Sequence, residues 1–265
     1  MKLSIVIVNY NSQKPLQNCL DSLEKWAGDF FDEIIIVDNA SSEEKISANI
    51  FDKHPKVKFY SLDHNLGFGG ANNFGVKQVS NELVLFLNPD TLLTDDSMKN
   101  MARYYSNYKN IGAMTCLIYA ADGKTLQKSF FGKFQSLLGL TLRRNKQLEI
   151  DLSKEFISTD FVTGACLMIS RDLFEKIGGF DEKIFMYLED EDLCHRLVDQ
   201  GYQNGIYTKS KITHLEGQSS SSNRQKKKFY FNSQNYYWRK HNGLLATILM
   251  KIIRWPLKVA KTRKI

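Results

Sequence analysis

The sequence predicts an α/β protein built on a mixed, mostly parallel sheet flanked by helices, with a helical extension at its C-terminus. Three observations carry this. Short apolar runs without alternation, such as Leu83-Val-Leu-Phe-Leu87, read as strands buried on both faces of a sheet. Three such runs end in polar residues: Asn9 and Asn11, Asp38 and Asn39, then Asn88 and Asp90. Helical patterns alternate with these strands, which makes neighbouring strands parallel.

The first strand, Leu3 to Asn11, leads into a helix near Ser12 to Trp26, where Pro15 suits the first turn and Leu16, Cys19, Leu20 and Leu23 share a face. Glu33 to Asp38 is the second strand, followed by Ser41 or Ser42 as a helix cap with Glu44 behind it. Lys56 to Ser61 alternates, as a strand nearer an edge does. The glycine-rich stretch Asn65 to Gly75 superficially matches a dinucleotide fingerprint, but that motif belongs after the first strand. Its glycines instead let backbone approach a ligand or let a helix pack closely, and Asn72 and Asn73 offer amide groups. The strand Leu83 to Leu87 then meets Asn88-Pro-Asp90. This βαβαβαβ order is a Rossmann-like nucleotide-binding pattern, whose ligands sit beyond the carboxyl ends of the strands. Asn-Pro-Asp is also ordinary turn chemistry, in which Asp90 caps a helix from Thr91 to Tyr105.

Residues 111 to 119 form another strand, and residues 120 to 158 are irregular, a loop or short-helix insertion with the basic cluster Arg143, Arg144 and Lys146. Phe161 to Ser170 reads as one strand, Arg171 to Ile177 as a short helix and Gly178 to Asp181 as a turn. Met186 to Val198 carries four consecutive acids, Glu189-Asp-Glu-Asp192, into an amphipathic helix that Gly201 closes. Crowding raises the pKa values of these acids and the helix dipole opposes the rise. Asp192 and Arg196 stand four apart and pair, while Glu189 and Glu191 read as a solvated helix start. Lys211 to Gly217, with His214, is the last element before the polar stretch 218 to 228.

With 43% hydrophobic and 25% charged residues among 265, the composition is that of a soluble globular chain and excludes wholesale disorder. Cys19, Cys116, Cys166 and Cys194 lack C-x-x-C spacing and read as buried thiols in a reducing compartment. One lysine before the first strand is too little for a signal peptide, so a cytoplasmic location is expected. The net charge of +7 is uneven: twelve Lys and Arg and no acid follow Glu216, which leaves 24 basic residues against 29 acidic ones before it. An acidic body thus carries a basic tail, suited to an anionic surface. In that tail Leu245, Ile248, Leu249, Ile252 and Ile253 form a helical stripe with Lys251, Arg254 and Lys258 off it. The apolar run is too short to span a bilayer and describes a helix lying on a membrane, or one docked on the body or on a homodimer partner. The aromatic residues between Phe229 and Trp238 suit either a sugar face or a core.

Taken in order, Ile5 to Asn11, Val37 to Ser42, Asn65 to Gly75, Phe86 to Asp90, Gly178 to Glu182, Tyr187 to Arg196 and His214 to Ser219 resemble a family 2 glycosyltransferase of the GT-A fold, in particular its rhamnosyltransferase-like bacterial members. The resemblance divides the chain into a GT-A domain at 1–219, with a nucleotide-sugar-binding half at 1–110 and an acceptor-binding and catalytic half at 111–219, and a basic amphipathic helical tail at 220–265. It implies donor binding by Asn9, Tyr10, Asn11, Asp38, Asn65, Gly67, Asn72, Asn88, Asp90 and Gly164. It further implies a divalent metal, Mg²⁺ or Mn²⁺, on Asp90 and His214, with Asp190 as the catalytic base. Two positions depart from the family pattern: Asn88 replaces the first acid of Asp-x-Asp, and Asn72 stands where many relatives carry arginine. One carboxylate with substrate phosphates still suffices for such a metal.

The implied reaction is transfer with inversion from a dTDP- or UDP-sugar, dTDP-rhamnose first, to a glycan or polyprenyl-linked acceptor in surface polysaccharide synthesis at the inner face of the cell membrane. A nucleotidyltransferase on a similar fold would want a glycine-rich basic loop near the N-terminus, which Asn9-Tyr-Asn-Ser12 does not supply. A non-enzymatic membrane- or nucleic-acid-binding assembly partner would use the tail, but an acidic body with strand-end carboxylates argues against nucleic acid.

Overall fold

The computed structural model describes residues 3–43, 46, 53–142, 150–215 and 223–262. Four parallel strands make its first half: β1 (Leu3–Asn9), β2 (Glu33–Asp38), β3 (Val57–Ser61) and β4 (Leu83–Leu87). They lie in the order β3-β2-β1-β4. Every residue of β2 and β4 is buried, as the uninterrupted apolar runs require, whereas β3 at the edge is largely exposed.

Helix α1 (Gln13–Ala27) buries Leu16, Cys19, Leu20 and Leu23, and α2 (Gly67–Val76) packs against β1 and β2. That packing needs Gly75, because a Cβ there would stand 2.5 Å from Val6 Cγ1. The residues after Asp90 are not a helix. Thr91–Leu93 is a short strand, β5, and helix α3 (Met98–Asn107) starts later, because β5 is captured as an edge partner by a strand from the far end of the chain.

The chain continues with β6 (Ile111–Tyr119), a minor strand β7 (Phe131–Gly132), the short helix α4 (Leu137–Leu142), β8 (Phe156–Thr159), β9 (Phe161–Val162), which pairs with β7 in a separate two-stranded sheet, and β10 (Cys166–Ser170). The single strand expected over 161–170 is two, interrupted at Thr163-Gly164-Ala165. After α5 (Arg171–Lys176) and α6 (Glu189–Asp199) comes β11 (Gln203–His214), longer than the expected terminal element. Among the described residues the main sheet runs β3-β2-β1-β4-β10-β6-β11-β5, with β8 on the first half of β11. β10 enters antiparallel between β4 and β6, so the parallel strands lie on either side of it. All four cysteines are buried free thiols.

The last element, α7 (Asn223–Thr262), is two helical segments that meet at Gly243, whose φ of 79° and ψ of 178° are open to glycine alone. The second segment folds back on the first. Arg254 donates to Gln234 Oε1 at 2.7 Å and to Asn235 Oδ1 at 2.9 Å, and its guanidinium lies over the Phe231 ring. Tyr237, Trp238 and Met250 are buried in a small second core with Leu188. Of the tail's aromatics, Tyr237 and Trp238 therefore serve packing on the body, and Phe229, Tyr230, Phe231 and Tyr236 are half-buried. No helix among the described residues is long and apolar enough to cross a membrane.

Candidate active site

At the carboxyl ends of β1 and β2, Asp38 is held by three donors. Asn9 Nδ2 reaches its Oδ1 at 2.8 Å, Ser41 Oγ the same oxygen at 2.6 Å, and the Ser41 amide its Oδ2 at 3.1 Å. Asn9 is fully buried, so it orients Asp38 from behind. Asn11, at a φ of 51°, accepts from the amides of Ser42 and Glu43 at 2.9 and 3.0 Å and so fastens the loop after β2. Tyr10 is half-buried between them. Glu44 and the helix expected to follow the cap lie outside the described residues.

Asn39 ties this loop to the glycine-rich one. Its Nδ2 donates to Asn65 Oδ1 at 3.0 Å and to the Gly67 carbonyl at 3.1 Å, while its Oδ1 accepts from the Leu66 amide. Gly67 has a φ of 75°, and a Cβ on it would stand 2.2 Å from the Phe185 carbonyl oxygen. Asn72 is buried and donates to the Phe68 carbonyl one turn back, and Asn73 grips Phe180 and Glu182. Sequence reasoning noted Asn39 only as a strand end, although a polar side chain between two loops was its available signal.

Asp90 and His214 meet because β11 pairs with β5 in a register that sets His214 opposite Thr91. His214 Nε2 lies 3.1 Å from Asp90 Oδ1 and 3.4 Å from Asn88 Nδ2. On the other side of the ring, Nδ1 is 3.2 Å from Gln127 Oε1, and Gln127 Nε2 donates to the His214 carbonyl at 2.9 Å. With the Gln127 amide fixed that way, Nδ1 donates to Gln127 and Nε2 is the ring atom that faces Asp90. A ring nitrogen and a carboxylate oxygen at this distance need a proton or a metal cation between them. One carboxylate and one imidazole, with a carboxamide beside them, fit a divalent cation, and Gln127 orients the imidazole as outer partners of metal ligands do. Gln127 lies in the irregular insertion and carried no sequence signal. Gly217 and Ser219, and the basic cluster Arg143, Arg144 and Lys146, lie outside the described residues.

The acidic cluster opens α6 after a turn in which Tyr187 and Leu188 have φ of 68° and 70°. Neither is glycine, and each such residue costs about 1–3 kcal/mol, which surrounding contacts must offset. Glu189 and Glu191 are not solvated, as expected from sequence, but only 6% and 4% exposed. Glu191 is covered by the 133–136 loop, which the tail helix holds, and Glu189 lies against Gly69 of α2. Gln135 donates from its backbone amide to Glu191 Oε1 at 3.1 Å, and Trp238 Nε1 and Gln234 Nε2 both donate to Gln135 Oε1.

Burial pushes the Glu191 carboxyl up to about 7. It also raises Glu189 well above the usual range, with the Asp190 charge adding to the effect. Asp190 is raised too, by burial, although the Gly164 and Glu191 amides donate to its two oxygens at 2.9 and 2.8 Å and oppose the rise. Asp192 goes the other way. Burial would raise it, yet His241, Arg196 and Lys240 around the carboxylate lower it to about 2. The expected Asp192–Arg196 pair is present at 2.9 Å, and Arg196 also donates to the carbonyls of Ile177 and Gly179.

Gly164 sits where β9 and β10 break, and a Cβ there would stand 2.8 Å from the Phe68 ring. Its neighbour Ala165 accepts from the Asn88 amide at 2.9 Å. The two residues therefore bridge the strand end bearing Asp90 to the helix start bearing Asp190.

The sequence profile described as "Glycosyl transferase family 2" matches residues 4–178. The chain belongs to glycosyl transferase family 2. A second profile, "N-terminal domain of galactosyltransferase", matches residues 148–218 of this transferase. It is 25% identical over 281 residues to the N-acetylglucosaminyl-diphospho-decaprenol L-rhamnosyltransferase of Mycobacterium tuberculosis, covering 97% of this chain and 89% of that one. It is 28% identical over 208 residues to rhamnosyltransferase WbbL of Escherichia coli, covering 73% and 75%. Against the hexosyltransferase Agl10 of Haloferax volcanii it is 28% identical over 201 residues, and spans 61% of that protein's length. In fold the transferase is similar to GalNAc-T7, solved with UDP, GalNAc and Mn²⁺, at a TM-score of 0.69 and 17% identity, covering 89% of this chain and 47% of that one. The mannosyltransferase PcManGT of Pyrobaculum calidifontis, solved with GDP-Man and Mn²⁺, gives 0.62 and 14% over 97% and 75%. The fold is thus that of GT-A glycosyltransferases.

Proposed function

We propose that the transferase moves a deoxyhexosyl or hexosyl group, rhamnose from dTDP-rhamnose first, from a nucleotide diphosphate sugar to a glycan or polyprenyl-linked acceptor, with inversion. The observation that carries the reading is the pairing of His214 Nε2 with Asp90 Oδ1 at 3.1 Å, across the Gly164–Ala165 bridge from the half-buried Asp190. Asp38 and the loop residues Asn11, Asn65 and Gly67 border the nucleoside, where a carboxylate accepts from a pyrimidine N–H or a ribose hydroxyl. Asp90 and His214, with the donor phosphates, would hold Mg²⁺ or Mn²⁺, whose charge offsets that of the departing diphosphate. Asp190 takes the proton of the acceptor hydroxyl as that oxygen bonds to the anomeric carbon and the bond to the diphosphate oxygen breaks. A base of raised pKa is the better proton acceptor, and one base opposite the leaving group gives inversion.

Rhamnose is favoured by the rhamnosyltransferases among the relatives, and a lipid-linked acceptor by the decaprenol in the name of one of them. The tail suits that acceptor. Leu244, Leu245, Ile248, Leu249 and Ile252 stand exposed on one side of the second segment of α7, on a tail without an acidic residue, a face fit for the cytoplasmic surface of an anionic membrane. The test is titration of dTDP, UDP and GDP sugars with and without Mn²⁺, against wild type and Asp90→Ala. One nucleotide is expected to bind preferentially, and more weakly once metal or Asp90 is removed. Absence of any binding at millimolar concentrations overturns the reading.

A further inference from the structure

We propose that the C-terminal helix is part of the catalytic machinery, with Ser233 a positioning residue that holds the turn at Tyr187 and Leu188 and so fixes Asp190. The inference rests on the reading of Asp190 as the base. Two successive non-glycine residues in the left-handed region stand directly before the first turn of α6, so any relaxation of that turn re-aims Glu189 and Asp190. What keeps the turn in place comes from α7. Ser233 Oγ donates to the Met186 carbonyl at 2.7 Å, and the Leu188 side chain is buried among Tyr237, Trp238 and Met250.

The same helix grips the far side of Asp190. Gln234 and Trp238 hold Gln135, and the Gln135 amide holds Glu191, while Lys240 and His241 hold Asp192. Residues 186, 188, 191 and 192 are thus all fastened, directly or through Gln135, by the tail. Asp190 between them takes its own hydrogen bonds from Gly164 and Glu191, and its position follows from theirs. A helix that merely covered apolar surface would need no hydroxyl aimed at the carbonyl that begins a strained turn.

The test compares Ser233→Ala, Ser233→Thr and Asp190→Asn with wild type in the full-length chain, reading nucleoside diphosphate release from whichever nucleotide sugar the titration selects. For Ser233→Ala, kcat is expected to fall about 10- to 100-fold, as a misplaced base predicts. Donor KM and nucleotide Kd should stay near wild type, the melting temperature should drop by only a few degrees for the one lost hydrogen bond, leaving the enzyme folded at the assay temperature, and Ser233→Thr, which keeps the hydroxyl, should restore kcat. A Ser233→Ala enzyme that turns over like wild type overturns the proposal, as does a loss of kcat that only tracks a fall in melting temperature. Asp190→Asn separates the failures. If it stays active, the base assignment falls and the proposal with it; if it is inactive beside an unaffected Ser233→Ala, the proposal alone falls.

Discussion

The Gly164 amide donates to Asp190 Oδ2 at 2.9 Å, and the carbonyl of the next residue receives the amide of Asn88. One dipeptide therefore sets the distance between the strand end that bears Asp90 and the carboxylate that would take the acceptor proton. It also donates to the ionised form of Asp190, in opposition to the burial that raises its pKa.

From this follows a pH profile. A base must be ionised, and Asp190 ionises above the ordinary carboxylate range, so kcat should fall on acidification at a pH higher than a free aspartate would give. Asp190→Asn should cost about 10²–10⁴ in kcat and leave nucleotide binding intact. Steady-state rates across pH, with calorimetric titration of the nucleotide, check both. A variant with unaltered kcat would remove Asp190 from the reaction.

Gln127 fixes the His214 tautomer, so Gln127→Leu should free the ring without touching Asp90 or His214. Metal affinity is expected to drop about 10- to 100-fold, as it does when an outer partner of a metal-ligating histidine is lost. Mn²⁺ titration in the presence of the nucleotide measures it directly, and an unchanged affinity would show that Gln127 does not orient a ligand.

Much of this was legible in the sequence and some was not, for a consistent reason. Strand ends that deliver Asp38, Asn88 and Asp90 follow from local apolar runs, and α1, α5 and β3 lie where pattern placed them. Glu189 and Glu191 were misread because their neighbours are distant in sequence, Gly69 beside the first and Gln135, held by α7, beside the second, and an acidic helix start carries no mark of what will cover it. Gln127 was invisible for the same reason. Thr91–Leu93 became strand because a partner strand, not local propensity, decided it.

Two buried acids on one helix make opposite demands on stability. Asp192 is lowered to about 2, so its contribution is full above its unfolded pKa of about 4 and is lost as pH falls toward 2, a loss of about 2 kcal/mol. Glu191 is raised to about 7, so it favours the fold while protonated, and stability falls as pH rises from its unfolded value toward 7. The region should be most stable near pH 4 to 5. Melting temperatures across pH are expected to rise and then decline; Glu191→Gln should flatten the decline, whereas an identical decline in that variant would assign it to another group.

The exposed side of the second segment of α7 gives the last prediction. Leu245 is 79% exposed and Ile252 is 62% exposed, so replacing either removes little packing from the fold. On an anionic bilayer the same side chains would be buried, each worth up to about 1.5–3 kcal/mol, while the basic residues add an attraction that salt weakens. Leu245→Glu with Ile252→Glu should therefore leave the melting temperature near wild type and reduce binding to phosphatidylglycerol vesicles at least about tenfold. Wild-type binding should also weaken with added salt, and phosphatidylcholine vesicles should bind more weakly throughout, because they offer the apolar layer without the charge. Vesicle co-sedimentation reads all three. If the double variant sediments like wild type, the stripe does not face lipid, and size measurement in solution then decides whether a second copy of the chain covers it.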